Sequence, residues 1–282
     1  MRVLITGGRG QLAKAFQKLL AAKSIDFVAL SREELDITSL AAVLSRVRGE
    51  RPQVIINCAA YNLVDQAEEE FPVAFSVNTL GPQYLALAAE EVGAFLIHFS
   101  TDYVFDGQKG LPYIEEDKPS PLSRYGLSKW LGELAVVKAA KDFLIFRVSW
   151  LFGEGKQNFL AKVRGWAEKN DTLRLAYDEF SVPTYTETVA KVAWQAYEKG
   201  LTGLYHLVSR GYASRLEWAK RFLEKIGLRR KIVPVSAASF GLLAKRPFFS
   251  ALDPGKIERD LGIELPHWKE DLKRFCQKYY AS

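Results

Sequence analysis

The strongest constraint on this chain is a rhythm. Short apolar runs recur between segments of helical periodicity: Val3-Leu4-Ile5-Thr6, Phe27-Val28-Ala29-Leu30, Val54-Ile55-Ile56-Asn57, Phe95-Leu96-Ile97-His98-Phe99 and Phe143-Leu144-Ile145-Phe146. Between them, 10–22, 39–48, 71–92 (with Pro72 in its first turn) and 122–140 read as helices. In the first of these Leu12, Phe16, Leu19 and Leu20 fall on one face, as a 3.6-residue repeat requires. Strands that alternate with helices are joined by crossovers and pair in parallel. Strands apolar on both faces need helices on both sides. The expected fold is therefore α/β, a Rossmann-type doubly wound parallel sheet with right-handed crossovers and the first strand central.

After Trp150 the pattern loosens. A loop at 153–157 leads to helices at 158–169, 186–199 and 214–226, with shorter strands at 173–176 and 204–207. We expect residues 1–150 to form the nucleotide-binding domain. Residues 151–282 then form mainly a smaller α/β substrate lobe, with some segments returning to the first domain. A chain of 282 residues can bury cores of this size.

Composition excludes several classes. Two cysteines, Cys58 and Cys276, cannot make a disulfide framework, and Cys58 sits in an apolar run as a reduced thiol would. No stretch has the roughly 20 apolar residues of a membrane span, and the start carries no secretory signal. A cytoplasmic setting without a membrane partner is expected. The net charge is +6, with acids and bases interspersed. The basic runs Arg229-Arg230-Lys231 and 269–278 lack the interleaved aromatics of a nucleic-acid surface and read as solvated helix faces. His98, His206 and His267 are far apart without ligand spacing, so no metal is expected.

Gly7-Gly8-Arg9-Gly10-Gln11-Leu12-Ala13 ends the first strand and opens the first helix. Glycine there allows positive φ and close approach of a pyrophosphate, and the helix start offers unpaired N–H groups. Ala13 is small enough for helix-on-strand packing. The end of the second strand carries Ser31-Arg32, where an acid would bond a ribose 2′-hydroxyl. Arginine instead pairs with a 2′-phosphate, so NADPH is expected, while the adjacent Glu33 and Glu34 leave NADH open.

Of twelve tyrosines only Tyr125 has a lysine, Lys129, four residues later. The two share a helix face, between the fourth and fifth strands. A phenol has a pKa near 10 and needs a cation beside it to move a proton at neutral pH. Tyr125 could thus protonate an alkoxide formed as hydride reaches a carbonyl, with Thr101 or Ser100 bonding the same oxygen. The plainer alternative is a surface Tyr–Lys pair near a strand-end threonine.

These residues, with Leu35-Asp36-Ile37, 57–61, 64–68, Asn78, the block Ser100-Thr101-Asp102-Tyr103-Val104-Phe105, Arg147-Val148-Ser149-Trp150, Val182-Pro183-Thr184, 203–207 and Arg246-Pro247, resemble the extended short-chain dehydrogenase/reductases. Within them the chain is most similar to the dTDP-4-dehydrorhamnose reductases. The resemblance implies reduction of the C4 ketone of dTDP-4-dehydro-L-rhamnose to dTDP-L-rhamnose, with a dTDP-sugar as small-molecule partner. Tyr125 would be the proton donor, Lys129 would hold the nicotinamide ribose, and Thr101 would bond the reacting oxygen. Gly7, Gly10, Gln11, Leu12, Ser31, Arg32, Asp36, Ile37, Ala59, Ala60, Tyr61, Asn62 and Phe99 would line the cofactor with Tyr125 and Lys129. Thr101, Asp102, Tyr103, Trp150 and Arg246 would lie at the sugar nucleotide. Asn78 would brace the lysine. Family members can form homodimers, and some hold a metal at the interface through acids. Here Ala15 stands at one of those positions and Glu187 at another, which makes no metal site. A dehydratase or epimerase of the same superfamily, or a regulatory subunit of the methionine adenosyltransferase type, is the competing reading. Dehydratases usually have glutamate where Tyr103 stands, and the retention of both Tyr125 and Lys129 argues against a binding-only protein.

Overall fold

The computed structural model describes residues 1–155 and 157–280. Its centre is a six-stranded sheet. Across it run Asp26–Leu30 (β2), Arg2–Thr6 (β1), Val54–Asn57 (β3), Phe95–Thr101 (β4), Phe143–Val148 (β5) and finally Gly203–His206, all parallel. The doubly wound α/β fold is as expected, but β1 is second from an edge, not central. The crossover through the helix α2 (Leu40–Glu50) carries the chain back past β1, so β3 pairs with β1 and β2 stays at the edge. The chain still reverses direction at β1, which has β2 on one side and β3 on the other. That is where a crevice opens at the strand ends.

Alternate residues of each strand serve opposite faces. Val3, Ile5, Ile56, Ile97 and Leu144 pack with Phe16 of α1 (Gln11–Ala22) and with Trp194 of the helix Thr186–Glu198. Leu4, Ile55, Leu96 and Ile145 pack with Leu85 and Val136 on the other face. The helix expected at 71–92 is continuous but not uniform: Phe71–Phe75 and Gly81–Val92 flank a wide π turn, Ser76–Leu80. Such turns open the i→i−4 ladder and recur at functional sites. Asn78 sits in this one. The neighbouring helix Arg124–Ala139 presents Gly132 to it, and a Cβ on Gly132 would overlap the Asn78 carbonyl oxygen.

The second half builds a separate core around Phe152, Trp218, Phe222, Trp268 and Phe275. The strand Lys231–Val235, paired with Thr172–Ala176, and the helix Gly255–Leu261 were not expected. The basic run 269–278, expected as a solvated helix face, lies on the helix Trp268–Tyr280, which buries Trp268, Leu272, Phe275 and Cys276 and keeps its lysines outside, the amphipathic compromise of a surface helix. Cys58 and Cys276 are both free thiols. Among the described residues no helix is long and apolar enough to cross a membrane.

Candidate active site

The ends of β1, β3, β4 and β5 open into a cleft of about 400 Å³. Its floor is the glycine turn. Gly7 has φ +64°, and a Cβ there would lie 2.8 Å from the Cα and N of Ala59. Only glycine fits both the conformation and the space. The Gly10 N–H donates to the Gly7 carbonyl at 2.8 Å, which closes the turn. Gly10 then caps α1 with no side-chain hydrogen bond, so the first helical N–H groups face the cleft without a protein partner. The donor set and the open cradle fit a dinucleotide pyrophosphate.

A buried polar row supports this floor. Thr6, Asn57 and His98 stand side by side in register on β1, β3 and β4. The Thr6 hydroxyl donates to Asn57 Oδ1 at 2.7 Å, and Asn57 Nδ2 meets His98 Nδ1 at 3.0 Å. Asn57 Oδ1 also accepts the Ala59 N–H at 3.2 Å and so fixes the loop that faces Gly7. Burial holds His98 well below the ordinary histidine pKa, and the Lys129 charge adds to this. A neutral ring can accept from Asn57, and an imidazolium could not. In the sequence His98 is only a strand histidine, since the row appears only once three strands are in register.

One wall carries the expected chemistry. Tyr125 and Lys129 lie on the helix Arg124–Ala139, which Ser123 caps by accepting the Gly126 N–H. Both line the cleft with Phe99, Ser100, Thr101 and Asp102 from the end of β4. The Lys129 ammonium donates to the Phe99 carbonyl at 2.6 Å. Burial pushes its pKa down to about 8, with the Glu133 carboxylate working the other way. Burial pushes the Tyr125 phenol up, opposed by the Thr101 hydroxyl beside it. At neutral pH Tyr125 therefore holds its proton and Lys129 is charged. Asn78 locks the adjoining loop: it accepts the Tyr61 N–H at 2.9 Å and donates to the Tyr61 carbonyl at 2.9 Å and to Ser128 Oγ at 3.0 Å. Tyr103 is buried behind Tyr125, ring to edge at 6.0 Å, and burial raises its pKa to about 12.

The opposite wall is aromatic and cationic. Trp150, at φ +39°, stacks on Trp218 at 5.5 Å, and Phe159 stacks on the same indole at 5.1 Å. The Arg215 guanidinium lies 3.6 Å from the Trp150 ring centroid and 3.5 Å from Glu179. Gln11 and Asn158 tie this wall to the glycine turn, Gln11 donating to the Leu151 carbonyl at 3.2 Å. Of this wall only Trp150 was expected. Arg215, Phe159 and Trp218 come from separate segments, and no spacing marks them.

Other expected residues stand elsewhere. Gly10, Gln11, Leu12, Ala59, Ala60, Asn62 and Phe99 line the cleft, whereas Tyr61 turns its hydroxyl out to Glu70 at 2.8 Å. Ser31 and Arg32 lie at the end of β2, beside the glycine turn but off the cleft wall, with Arg32 exposed. The Asp36 carboxylate is occupied by Thr38, whose N–H and hydroxyl reach it at 2.9 and 2.7 Å. Ile37 is buried against Gly81. Arg246 is outside the cleft, paired with Asp65 at 2.6 Å. A larger hollow of about 1020 Å³ lies on the α1 side, bordered by Ala15 and Glu187, and no strand end reaches it. Glu187 is held there by Lys278 at 2.7 Å. Among the described residues no group of three His, Cys, Asp or Glu side chains converges as a metal site.

A glycine turn, a strand-end threonine and a Tyr-x-x-x-Lys helix around one crevice define a short-chain dehydrogenase/reductase. Within that class, the family model described as RmlD substrate binding domain matches residues 1–281, and the chain belongs to this family. It is 39% identical over 285 residues to the dTDP-4-dehydrorhamnose reductase of Sinorhizobium fredii, covering 97% of this chain and 96% of that one. The structure of a dTDP-4-dehydrorhamnose reductase from Clostridium acetobutylicum superposes with a TM-score of 0.96 at 34% identity, covering 99% of both chains. That of the Bacillus anthracis dTDP-4-dehydrorhamnose reductase in complex with NADP gives 0.95 at 35%, covering 98% of this chain and 99% of that one.

Proposed function

We propose that this chain reduces the C4 ketone of dTDP-4-dehydro-L-rhamnose to dTDP-L-rhamnose with NADPH. The observation that carries the reading is the meeting of Tyr125, Lys129 and Thr101 with the glycine turn in one cleft. The family and the names of its near relatives supply the substrate. NADPH is favoured by Ser31 in place of an acid, by Arg9 and Arg32 beside the end of β2, and by the NADP complex of the Bacillus relative. The reduced nicotinamide, when bound, supplies the hydride.

The residues do the rest. Tyr125 keeps its phenolic proton at neutral pH and gives it to the oxygen as the carbonyl becomes an alkoxide. Lys129, charged and fixed on the Phe99 carbonyl, stabilises the phenolate left behind. Thr101 holds Tyr125 and the reacting oxygen in line. Trp150 and Arg215 form the wall for the sugar nucleotide. Gly7, Gly10, Gln11, Leu12, Ala59, Ala60, Asn62 and Phe99 hold the dinucleotide, with Arg32 at its 2′-phosphate. Residues 1–150 then carry the cofactor and 151–282 mainly the substrate, although Thr186–Glu198 and Gly203–His206 belong to the first sheet layer.

The test is loss of reduced-nicotinamide absorbance with a panel of keto-sugar nucleotides, NADPH against NADH. The reading predicts the highest kcat/KM for the dTDP-4-dehydro-L-rhamnose and NADPH pair. Tightly held cofactor that survives purification, with no net NADPH consumption on any keto-sugar, would instead mark a dehydratase or epimerase.

A further inference from the structure

Lys129 is a buried cation, 3% exposed, and its ammonium has one hydrogen-bond partner in the protein, the neutral Phe99 carbonyl. Among the described residues no carboxylate lies at ion-pair distance from it. A buried ammonium without a counter-charge gives up its proton. The carboxylate that meets this need is Glu133. It stands four residues after Lys129, one turn further along the buried face of the helix Arg124–Ala139, and is 2% exposed. Lys129 lines the cleft and Glu133 does not.

Both Glu133 oxygens are engaged away from the ammonium. Arg147, near the end of β5, donates from Nε to Oε1 at 2.9 Å and from Nη2 to Oε2 at 2.7 Å. This fork fixes the plane of the carboxylate. Arg147 is held in turn. Its guanidinium lies 5.1 Å from the Phe105 ring centroid, and Nη1 faces His206 Nε2 at 3.5 Å. His206 is its neighbour in register on the strand Gly203–His206. The His206 Nδ1 donates to the Tyr113 carbonyl at 3.0 Å, which leaves Nε2 a bare acceptor for the guanidinium. A buried ion pair adds little stability over an apolar pair of the same volume, so stability alone does not account for this one. What it achieves is a negative charge one turn from Lys129 that cannot swing onto it. Of the three ammonium donors, the two not used by Phe99 stay free for the cofactor ribose and the phenolate.

We propose that Glu133 and Arg147 are positioning residues: Glu133 supplies the counter-charge of the Lys129 ammonium from one helical turn away, and Arg147 holds that carboxylate off the ammonium and takes up part of its charge. This rests on the functional reading above and deepens it. The other titratable groups around Lys129 do not fill the role. Tyr125, on the same helix, keeps its proton, His98 of β4 is neutral, and burial keeps the Cys58 thiol after β3 protonated. The Asp102 carboxylate at the end of β4 accepts the Ser181 and Ser250 hydroxyls. The pair thus acts on Lys129 with two signs, the carboxylate favouring its charge and the guanidinium opposing it.

Glu133→Gln, Arg147→Met and a double variant with methionine at both positions are compared with the wild-type chain. The readouts are the pH profile of kcat, both KM values, denaturant melting, and a carbon NMR titration of the Lys129 side chain in lysine-labelled protein. Without the carboxylate the ammonium discharges earlier, so in Glu133→Gln the step near pH 8 moves down by about one pH unit. Without the guanidinium the carboxylate acts on Lys129 alone, so in Arg147→Met the step moves up. Both KM values stay within about threefold, since neither residue touches a ligand. A pair that served only the frame would lower both melting points and leave the step in place. That result, or a shift of the same sign in both single variants, overturns the proposal. If either single variant does not fold, the double variant decides, because an apolar pair replaces the buried ions and orphans neither charge. A lowered step there keeps the proposal, and an unmoved one ends it. If the wild-type chain turns over no keto-sugar, the functional reading fails on its own, and the NMR titration of the same proteins decides this proposal by the same signs.

Discussion

The two walls of the cleft are made in different ways. Tyr125, Lys129 and Thr101 stand on one helix and the adjoining strand end, so their spacing is set by one helical turn and one sheet register. Trp150, Phe159, Arg215 and Trp218 come from a strand end and two helices of the second half, held by stacking at 5.1 to 5.5 Å and by the guanidinium above them. The first wall sets its polar groups at a fixed spacing and is suited to aligning a proton. The second offers stacked rings under a cation and is suited to holding a large anion. Chemistry should therefore fail at the first wall and affinity at the second.

The most severe break of that division is Tyr125→Phe. It removes the proton donor and keeps the ring, and should lower kcat by about 10²–10⁴ with cofactor affinity unchanged in a fluorescence titration. Full activity in a folded variant would remove Tyr125 from the mechanism.

Lys129 tests the same wall by pH. Its folded pKa is pushed down to about 8. A base keeps its charge below its pKa, so the stabilising ammonium is present at neutral pH and is lost as pH rises through 8. The reductive kcat should be flat below that value and fall above it. Lys129→Met should be slow at every pH and lose the step, and a step that survives in this variant belongs to another group.

The floor shared by both walls should break next. Gly7→Ala places a methyl 2.8 Å from Ala59 on a backbone of positive φ. Strain of this kind costs about 1–3 kcal/mol, and the expected readouts are a lower melting point and a raised KM for NADPH with little change for the sugar.

The smallest effect sharpens the second wall. Arg215→Ala removes a cation over Trp150, an interaction worth about 0.5–2 kcal/mol. KM for the sugar nucleotide should rise several-fold with kcat nearly constant. A fall in kcat with KM unchanged would show that both walls serve the chemistry.

The same contrast explains what could be read in advance. The first five strands, the glycine turn and the Tyr–Lys pair are local patterns, with period two or 3.6 and a turn of fixed length. The edge-ward place of β1 was misread because the pattern gives the number of crossovers and not the side on which each strand adds. Asp36 fits a family motif, yet its carboxylate is spent on Thr38. Arg246 fits another and is held by Asp65, which is 181 residues away in sequence.

By itself the sequence determined the α/β class, the anion-binding turn, and the residue types for proton transfer, because each of these follows from neighbours within about one helical turn. Only the tertiary structure decided the row Thr6–Asn57–His98 and the stack around Arg215. Each joins segments far apart in the chain, and buried polar groups choose whichever partner the packed core brings within hydrogen-bond reach.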